Sequence, residues 1–421
     1  MKRKYRKVNV FLLGLAVCLS GCSGNASREE KNTDSIASGG ISGVTVSEGC
    51  EIVENKEDFY QVKEEQAYNE STDCNNGVLD SVSMDCNENY VYCLQNGVVY
   101  CMDKNSGNFI ALCDKPDCAH NTADCNAYVA GGHGIDIDVY ENYIYSIVQN
   151  KDEEKITLDL IKMSKDGSGE REIAVNLASM KLEDNNSVAV RWIIHRGYIY
   201  YVYILNSGYT EDTYYLNGSN CIYRRALDGS GEAECIMPLD LYMDKNYVKL
   251  KAVGSYVYFI MPEIDDAGLK GKLYRYNTES DKIEYISQAG YIADYAAVGE
   301  TLIFKKAGNP YEIWRYDSSD NSAARLFEAD KNIGQAYYDV CADDHYIYNL
   351  YDNGDGSAVV YVACDYEGNY IGQFEKPQEY EYMGMDEKNI YFQTNTDNDV
   401  KFCYITKEEA LSGAAEMIFL Q

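Results

Sequence analysis

A tyrosine-rich strand that returns every 44 to 58 residues constrains this chain more than any other feature. It begins near Tyr90 (Tyr-Val-Tyr-Cys), Tyr143 (Tyr-Ile-Tyr-Ser), Tyr198 (Tyr-Ile-Tyr-Tyr), Tyr256 (Tyr-Val-Tyr-Phe), Leu302 (Leu-Ile-Phe-Lys), Tyr346 (Tyr-Ile-Tyr-Asn) and Ile390 (Ile-Tyr-Phe-Gln). Aromatic and β-branched side chains suit a pleated, buried surface. A strand ending in a polar turn precedes each copy, as in Val78–Asp85, Tyr291–Val298 and Tyr380–Asp386. A second aromatic strand follows, as in Val98–Asp103, Glu312–Asp317 and Lys401–Ile405. Turns such as Lys165-Asp166-Gly167-Ser168-Gly169, whose glycines accept the positive φ of a tight turn, then lead into a fourth strand. An all-β chain with this period predicts a seven-bladed β-propeller, with six or eight blades as alternatives, each blade four antiparallel strands.

The ends of the chain carry an address. Lys2, Arg3, Lys4, Arg6 and Lys7 precede the apolar run Val8–Leu19, which is too short to be read as a spanning helix. The run closes on Leu19-Ser20-Gly21-Cys22, which resembles the lipobox of bacterial lipoproteins. The resemblance implies cleavage before Cys22 and a lipid on its thiol, so residues 1–21 are expected to be a signal peptide. Residues 22–45, rich in Ser, Gly and Asn, read as a flexible tether. Residues 46–75 are an acidic segment that either adds an outer strand or packs against the propeller, and 76–421 is the propeller itself. The expected location is extracytoplasmic, anchored to the bacterial membrane through the lipid, with the chain monomeric.

The net charge is −31, and loss of the five basic signal residues leaves −36. Such a surface repels nucleic acid, and a solvated acidic exterior accounts for it.

In an up-and-down blade, the hairpin between strands two and three and the link to the next blade leave by the same edge. Five long insertions are expected there: Gln149–Thr157, Leu205–Asn220, Pro262–Gly271, Asn176–Ser187 and Asp114–Gly134. Loops of this length on one face are where binding residues gather. Tyr209, Glu211, Asp212, Tyr214 and Tyr215 offer stacking and acceptor groups for a glycan, peptide or protein ligand.

Thirteen cysteines remain once Cys18 leaves with the signal and Cys22 is lipidated, and seven lie between Cys74 and Cys125. An Asn96-Gly97 hairpin sets Cys93 opposite Tyr100 and Cys101 opposite Tyr92, so the two thiols point to opposite faces. Cys113, Cys118, His120 and Cys125 put three thiols and an imidazole in one loop, the donor set of a structural zinc site. Disulfide pairing in an exported protein is the competing reading.

The stretch Leu112 to Tyr128 resembles segments of lipoproteins from Gram-positive anaerobes. Ile222-Tyr223-Arg224 with Leu227-Asp228-Gly229-Ser230 resembles the repeat of low-density-lipoprotein-receptor-like (YWTD-type) propellers, which implies a propeller fold. Four histidines and two tryptophans, with no sialidase-type box, point to a binding or scaffold module. An enzyme acting on a surface glycan is the alternative.

Overall fold

The computed structural model describes residues 45–46, 52–53 and 84–420. Within the last range it omits 88, 123, 130–135, 153, 182–185, 208–215, 240–247, 266–267, 299–300, 319, 353–357, 378–379, 397–398 and 414–416. The described residues form six sheets, nearly all of whose pairs are antiparallel neighbours in sequence.

The first sheet runs Met84–Cys86, Tyr90–Gln95, Val98–Asp103 and Phe109–Ala111. The second runs Ile137–Tyr140, Tyr143–Lys151, Lys155–Ser164 and Glu172–Lys181. The third contains Asn186–His195, Tyr198–Ser207, Cys221–Ala226 and Glu234–Pro238, with Leu216–Gly218 paired on its second strand. The fourth has nine strands. In it a meander of Leu250–Val253, Tyr256–Asp265, Gly268–Asn277 and Lys282–Tyr285 is followed by one of Tyr291–Val298, Thr301–Lys306, Glu312–Asp317 and Ser322–Glu328. The two meanders join where Gly271 and Lys272 pair with Ile292 and Tyr291. The fifth sheet is Gln335–Ala342, Ile347–Asp352, Ala358–Cys364 and Tyr370–Pro377. The sixth is Tyr380–Met385, Asn389–Thr396, Asp399–Thr406 and Ile418–Phe419. A short helix, α1 (Lys407–Ser412), stands between its last two strands, capped by the Thr406 hydroxyl accepting from the Glu409 N–H.

The first strands touch in sequence from Met84–Cys86 through Gln335–Ala342, and Tyr380–Met385 returns to Met84–Cys86. Apolar clusters fill the gaps between neighbouring meanders. At the seam of the ring, Met383, Tyr391 and Phe402 pack on Met84, Val91 and Met102. A circuit of meanders stacked face to face, first strands innermost, is a propeller organisation.

The tyrosine repeat is the chemistry of those gaps. Side chains alternate along a strand, so Tyr90 and Tyr92 share a face with ring centroids 6.2 Å apart, while Val91 packs on the other. The same i, i+2 pair recurs at Tyr143/Tyr145, Tyr198/Tyr200, Tyr256/Tyr258 and Tyr346/Tyr348. A strand buried on both faces loses its polar alternation, and a buried tyrosine needs a partner for its hydroxyl. Tyr201 donates to Leu177 O at 3.0 Å and Tyr295 to Tyr258 O at 2.9 Å. Each tie crosses between neighbouring meanders.

The turn glycines are steric as well as conformational. A Cβ on Gly167 would lie 3.0 Å from Leu112 C, on Gly229 3.2 Å from Ala174 O, and on Gly368 2.3 Å from Leu326 O. In each case the neighbour belongs to the preceding meander's outer strand or the residue just beyond it. Gly368 also has φ +86°. Gly368→Ala is therefore expected to cost about 2–4 kcal/mol of stability, from left-handed strain plus a backbone clash. Equilibrium denaturation checks it, and a loss below about 1 kcal/mol would show that the sheets yield there.

Four expected insertions are corrected in whole or part. Gln149, Asn150 and Lys151 continue their strand, paired with Leu158, Thr157 and Ile156. Pro262 pairs with Gly271 inside a long hairpin. Asn176 to Lys181 belong to an outer strand, and Leu205 to Ser207 continue theirs. Polar side chains on extended hairpins had the composition of loops. Thr45–Val46, where the expected tether meets the acidic segment, pairs in parallel with Glu234–Cys235, and Ile52–Val53 of the acidic segment pairs with Ile283–Glu284. Among the described residues, no helix is long and apolar enough to cross a membrane.

Candidate functional site

The cysteine loop begins where the first sheet ends and returns to the same strand. Val99 accepts from the Leu112 N–H at 2.9 Å and donates to Ala127 O at 2.9 Å, so one residue holds both ends. Val129 N donates to Gly97 O at 2.6 Å. Leu112, Cys125, Ala127 and Val129 are buried against Ile144, Ile161 and Met163 of the second sheet. Inside this frame Asp117 and His120 adopt positive φ, 57° and 53°, bending the chain tightly around Cys118. Asn126 Nδ2 donates to Asp114 Oδ1 at 3.0 Å, and Lys115 Nζ to Asp124 O at 2.5 Å.

The result is convergence. One donor atom from each of Cys113, Cys118, His120 and Cys125 lies within 4.8 Å of the other three. His120 Nδ1 is 3.3 Å from Cys125 Sγ. A tetrahedral ion with metal–sulfur bonds of about 2.3 Å needs donor separations of about 3.8 Å, which this cluster approaches. Cys113, Cys118 and Cys125 are all free thiols. Burial opposes ionisation of Cys113, but the N–H groups of Lys115 and Asn126 and the neighbouring thiols outweigh it and hold the thiol below its ordinary range. Burial pushes Cys125 up to about 11, reinforced by the other two thiols. Backbone N–H groups aimed at thiolate sulfur are the second layer that fixes ligands in metal sites.

The other expected site residues, Cys22 and Tyr209, Glu211, Asp212, Tyr214 and Tyr215, lie outside the described residues. Of the remaining histidines, His133 also lies outside them. His195 is buried, with Nε2 2.7 Å from Gly254 O, a tie from the third sheet to the fourth. His345 sits in a turn where its N–H donates to Asp343 Oδ1 at 2.7 Å. Cys93 and Cys101 pack on opposite faces as the hairpin register dictates, in different clusters. A disulfide joins Cys221 to Cys235, on adjacent strands offset by a bulge, with Cα atoms 5.5 Å apart. Spacing alone did not single out that pair.

Part of the acidity caps turns. Asp103, Asp152, Asp166, Asp228, Asp343, Asp365 and Asp386 each accept N–H groups two to four residues ahead. Hydrogen bonds from Ser164 and Ser168 hold Asp166 down to about 2.

A second polar centre, which sequence reasoning missed, lies on the inner strands. Asp294 joins Lys249 at 3.0 Å and accepts from the Val340 N–H at 2.9 Å. Lys305, fully buried, donates to Tyr337 O at 2.7 Å and to Asn349 Oδ1. Burial lowers the Lys305 ammonium to about 8, against the pull of Asp294 and Asp339. The signal was a lysine ending the apolar run Leu302-Ile303-Phe304 and the Tyr337-Tyr338-Asp339 break in strand alternation.

No family model and no curated protein matches the sequence. Similar solved structures include an uncharacterized protein from Listeria monocytogenes EGD-e, 11% identical with TM-score 0.30, covering 85% of this chain and 86% of that one. YCF48 from Cyanidioschyzon merolae is 9% identical with TM-score 0.37, covering 67% and 84%. A subtype N10 neuraminidase-like protein of A/little yellow-shouldered bat/Guatemala is 11% identical with TM-score 0.36, covering 82% and 96%. At such scores these likenesses carry no functional argument.

Proposed function

We propose that this chain is a lipid-anchored, extracytoplasmic binding or scaffold module, built as a seven-bladed propeller with a YWTD-like repeat. Seven follows if the nine-stranded sheet counts as two blades, since its two meanders share only the pairing of Gly271 and Lys272 with Ile292 and Tyr291. The observation that carries the binding reading is directional. The long hairpins Tyr143–Ser164 and Tyr256–Asn277 and the cysteine loop leave by one edge of the ring, while the opposite edge carries short turns apart from the α1 link of the sixth sheet. A glycan, peptide or protein would bind on the long edge. The Cys113–Cys125 loop would hold a structural zinc, because four protein donors close the coordination sphere and leave no open position.

Two measurements test this reading. Cys22→Ala is expected to move the protein from the membrane fraction to the medium, or to leave it as uncleaved precursor. Fractionation and gel migration both identical to the parent would refute the anchor. The full mature protein, applied to glycan and peptide arrays, is expected to bind a restricted set. Binding to neither array would remove the module reading, and hydrolysis of a bound glycan would turn it into the enzyme alternative.

A further inference from the structure

The inner strand Gln335–Ala342 is the most irregular of its kind. Ala336 pairs with Tyr351 and Val340 with Asn349, so Tyr337, Tyr338 and Asp339 stand opposite Leu350 alone. The bulges on inner strands Tyr291–Val298 and Tyr380–Met385 admit one extra residue each, at Ile292/Asp294 and Tyr382/Gly384. A bulge re-aims side chains, and this one turns both tyrosines outward, at 39% and 43% exposure.

Charges taken out of water hold it in place. Asp294, 3% exposed, accepts from the Val340 N–H at the bulge's far end, and Lys305, 0% exposed, donates to the Tyr337 carbonyl at its near end. The aspartate tie repeats those from Val139 to Asp85 and from Ile194 to Asp138, whereas the lysine is particular to this bulge, and burying an ammonium is unfavourable unless geometry compensates. Departures from local sheet rules that are secured from behind concentrate at functional sites. The bulge lies at the beginning of its strand, on the edge where the long hairpins emerge. Lys249, just ahead of the inner strand Leu250–Val253, approaches it, 3.7 Å from Asp339.

We propose that the Tyr337–Asp339 bulge is a subsite for a neutral saccharide, which rests on the binding reading above and gives it a location and a ligand class. Two adjacent exposed tyrosine rings offer faces for the C–H surface of a sugar ring. Asp339 accepts hydroxyl protons and Lys249 donates to hydroxyl oxygens. Lys249 and Lys305 stand among Asp294, Asp339 and Asp352, the last 3.4 Å from the Tyr337 hydroxyl, so the bulge presents donors and acceptors side by side. Donors and acceptors next to aromatic rings fit a polyhydroxylated ligand.

The test is calorimetric titration of the full mature protein with maltohexaose, cellohexaose and chitohexaose, with choline and spermidine as cationic probes. At least one hexasaccharide is expected to bind, more tightly than either cation. Tyr338→Ala should weaken it by about tenfold or more while keeping the parent's thermal midpoint. Lys305→Gln, which touches no ligand, should weaken it too by releasing the bulge. Hexasaccharide affinity unchanged in both Tyr337→Ala and Tyr338→Ala overturns the subsite but leaves the binding reading standing. So does array binding to peptides with no hexasaccharide bound, or tighter binding of a cation. A parent that binds nothing in any format removes both.

Discussion

On the zinc reading, removal of the metal is expected to lower the thermal midpoint by about 5 °C or more, since a structural site contributes several kcal/mol and each kcal/mol moves a domain of this size by about 1–2 °C. The effect should be large because the loop is also packing. Leu112, Cys125, Ala127 and Val129 fill the gap between the first two sheets, and Leu112 is pressed against Gly167 of the next meander. Without a cation the three sulfurs, within 4.8 Å of one another, cannot all stay ionised; Cys125 takes up a proton and the bonds that close the loop are lost. Anaerobically purified protein should carry one zinc per chain, and cobalt substitution should give thiolate charge-transfer and tetrahedral d–d bands. His120→Ala should weaken retention of the metal more than it perturbs the fold, because the ring's Nδ1 reaches Cys125 Sγ rather than the core. Metal-free protein with a disulfide between any two of Cys113, Cys118 and Cys125 would sink the zinc reading and restore its competitor.

The convergence of those four donors was legible because they are neighbours in sequence: any fold would have brought Cys113 to Cys125 near one another. The strands were legible for a related reason. Tyr291–Val298, Val98–Asp103 and Glu312–Asp317 match residue for residue, because apolar runs ended by Asp or Asn turns mark both ends of a strand. What was hidden depends on apposition. Val139 lies 54 residues from Asp85, Ile194 lies 56 from Asp138, and Val340 lies 46 from Asp294, yet each donates its N–H to the earlier carboxylate. No local pattern distinguishes these aspartates from those that cap turns. Lys305 differs in carrying a local mark, a charge that closes an apolar run, but its partners come from the next meander.

The half-buried Asp85 and Asp138 set the direction of the pH dependence of stability, which is expected to decline from about pH 5 to about pH 9. Asp85 and Asp138 link successive inner strands, accepting from Val139 N at 2.5 Å and Ile194 N at 2.9 Å. Burial raises Asp85 to about 6, against the hydrogen bonds from Val139 and Cys86 and the pull of Lys104. Burial raises Asp138 to about 8, reinforced by the charge of Asp85. Both folded values exceed the unfolded value of about 3.9. The folded state therefore binds more protons between those limits, and its advantage, complete below about pH 4, is lost as pH rises through the folded values. The turn aspartates act in the opposite sense: Asp152, Asp166, Asp228 and Asp365 are lowered, so their contribution is lost on acidification. The stability maximum should fall between the two sets, at about pH 4–6. Asp138→Asn keeps a carbonyl oxygen for the Ile194 N–H and removes the charge. It should leave the thermal midpoint at pH 5 nearly unchanged, raise it at pH 9 and flatten the slope between. A parallel curve in the variant, or a lower midpoint at pH 9, would mean that Asp138 is ionised and compensated in the fold.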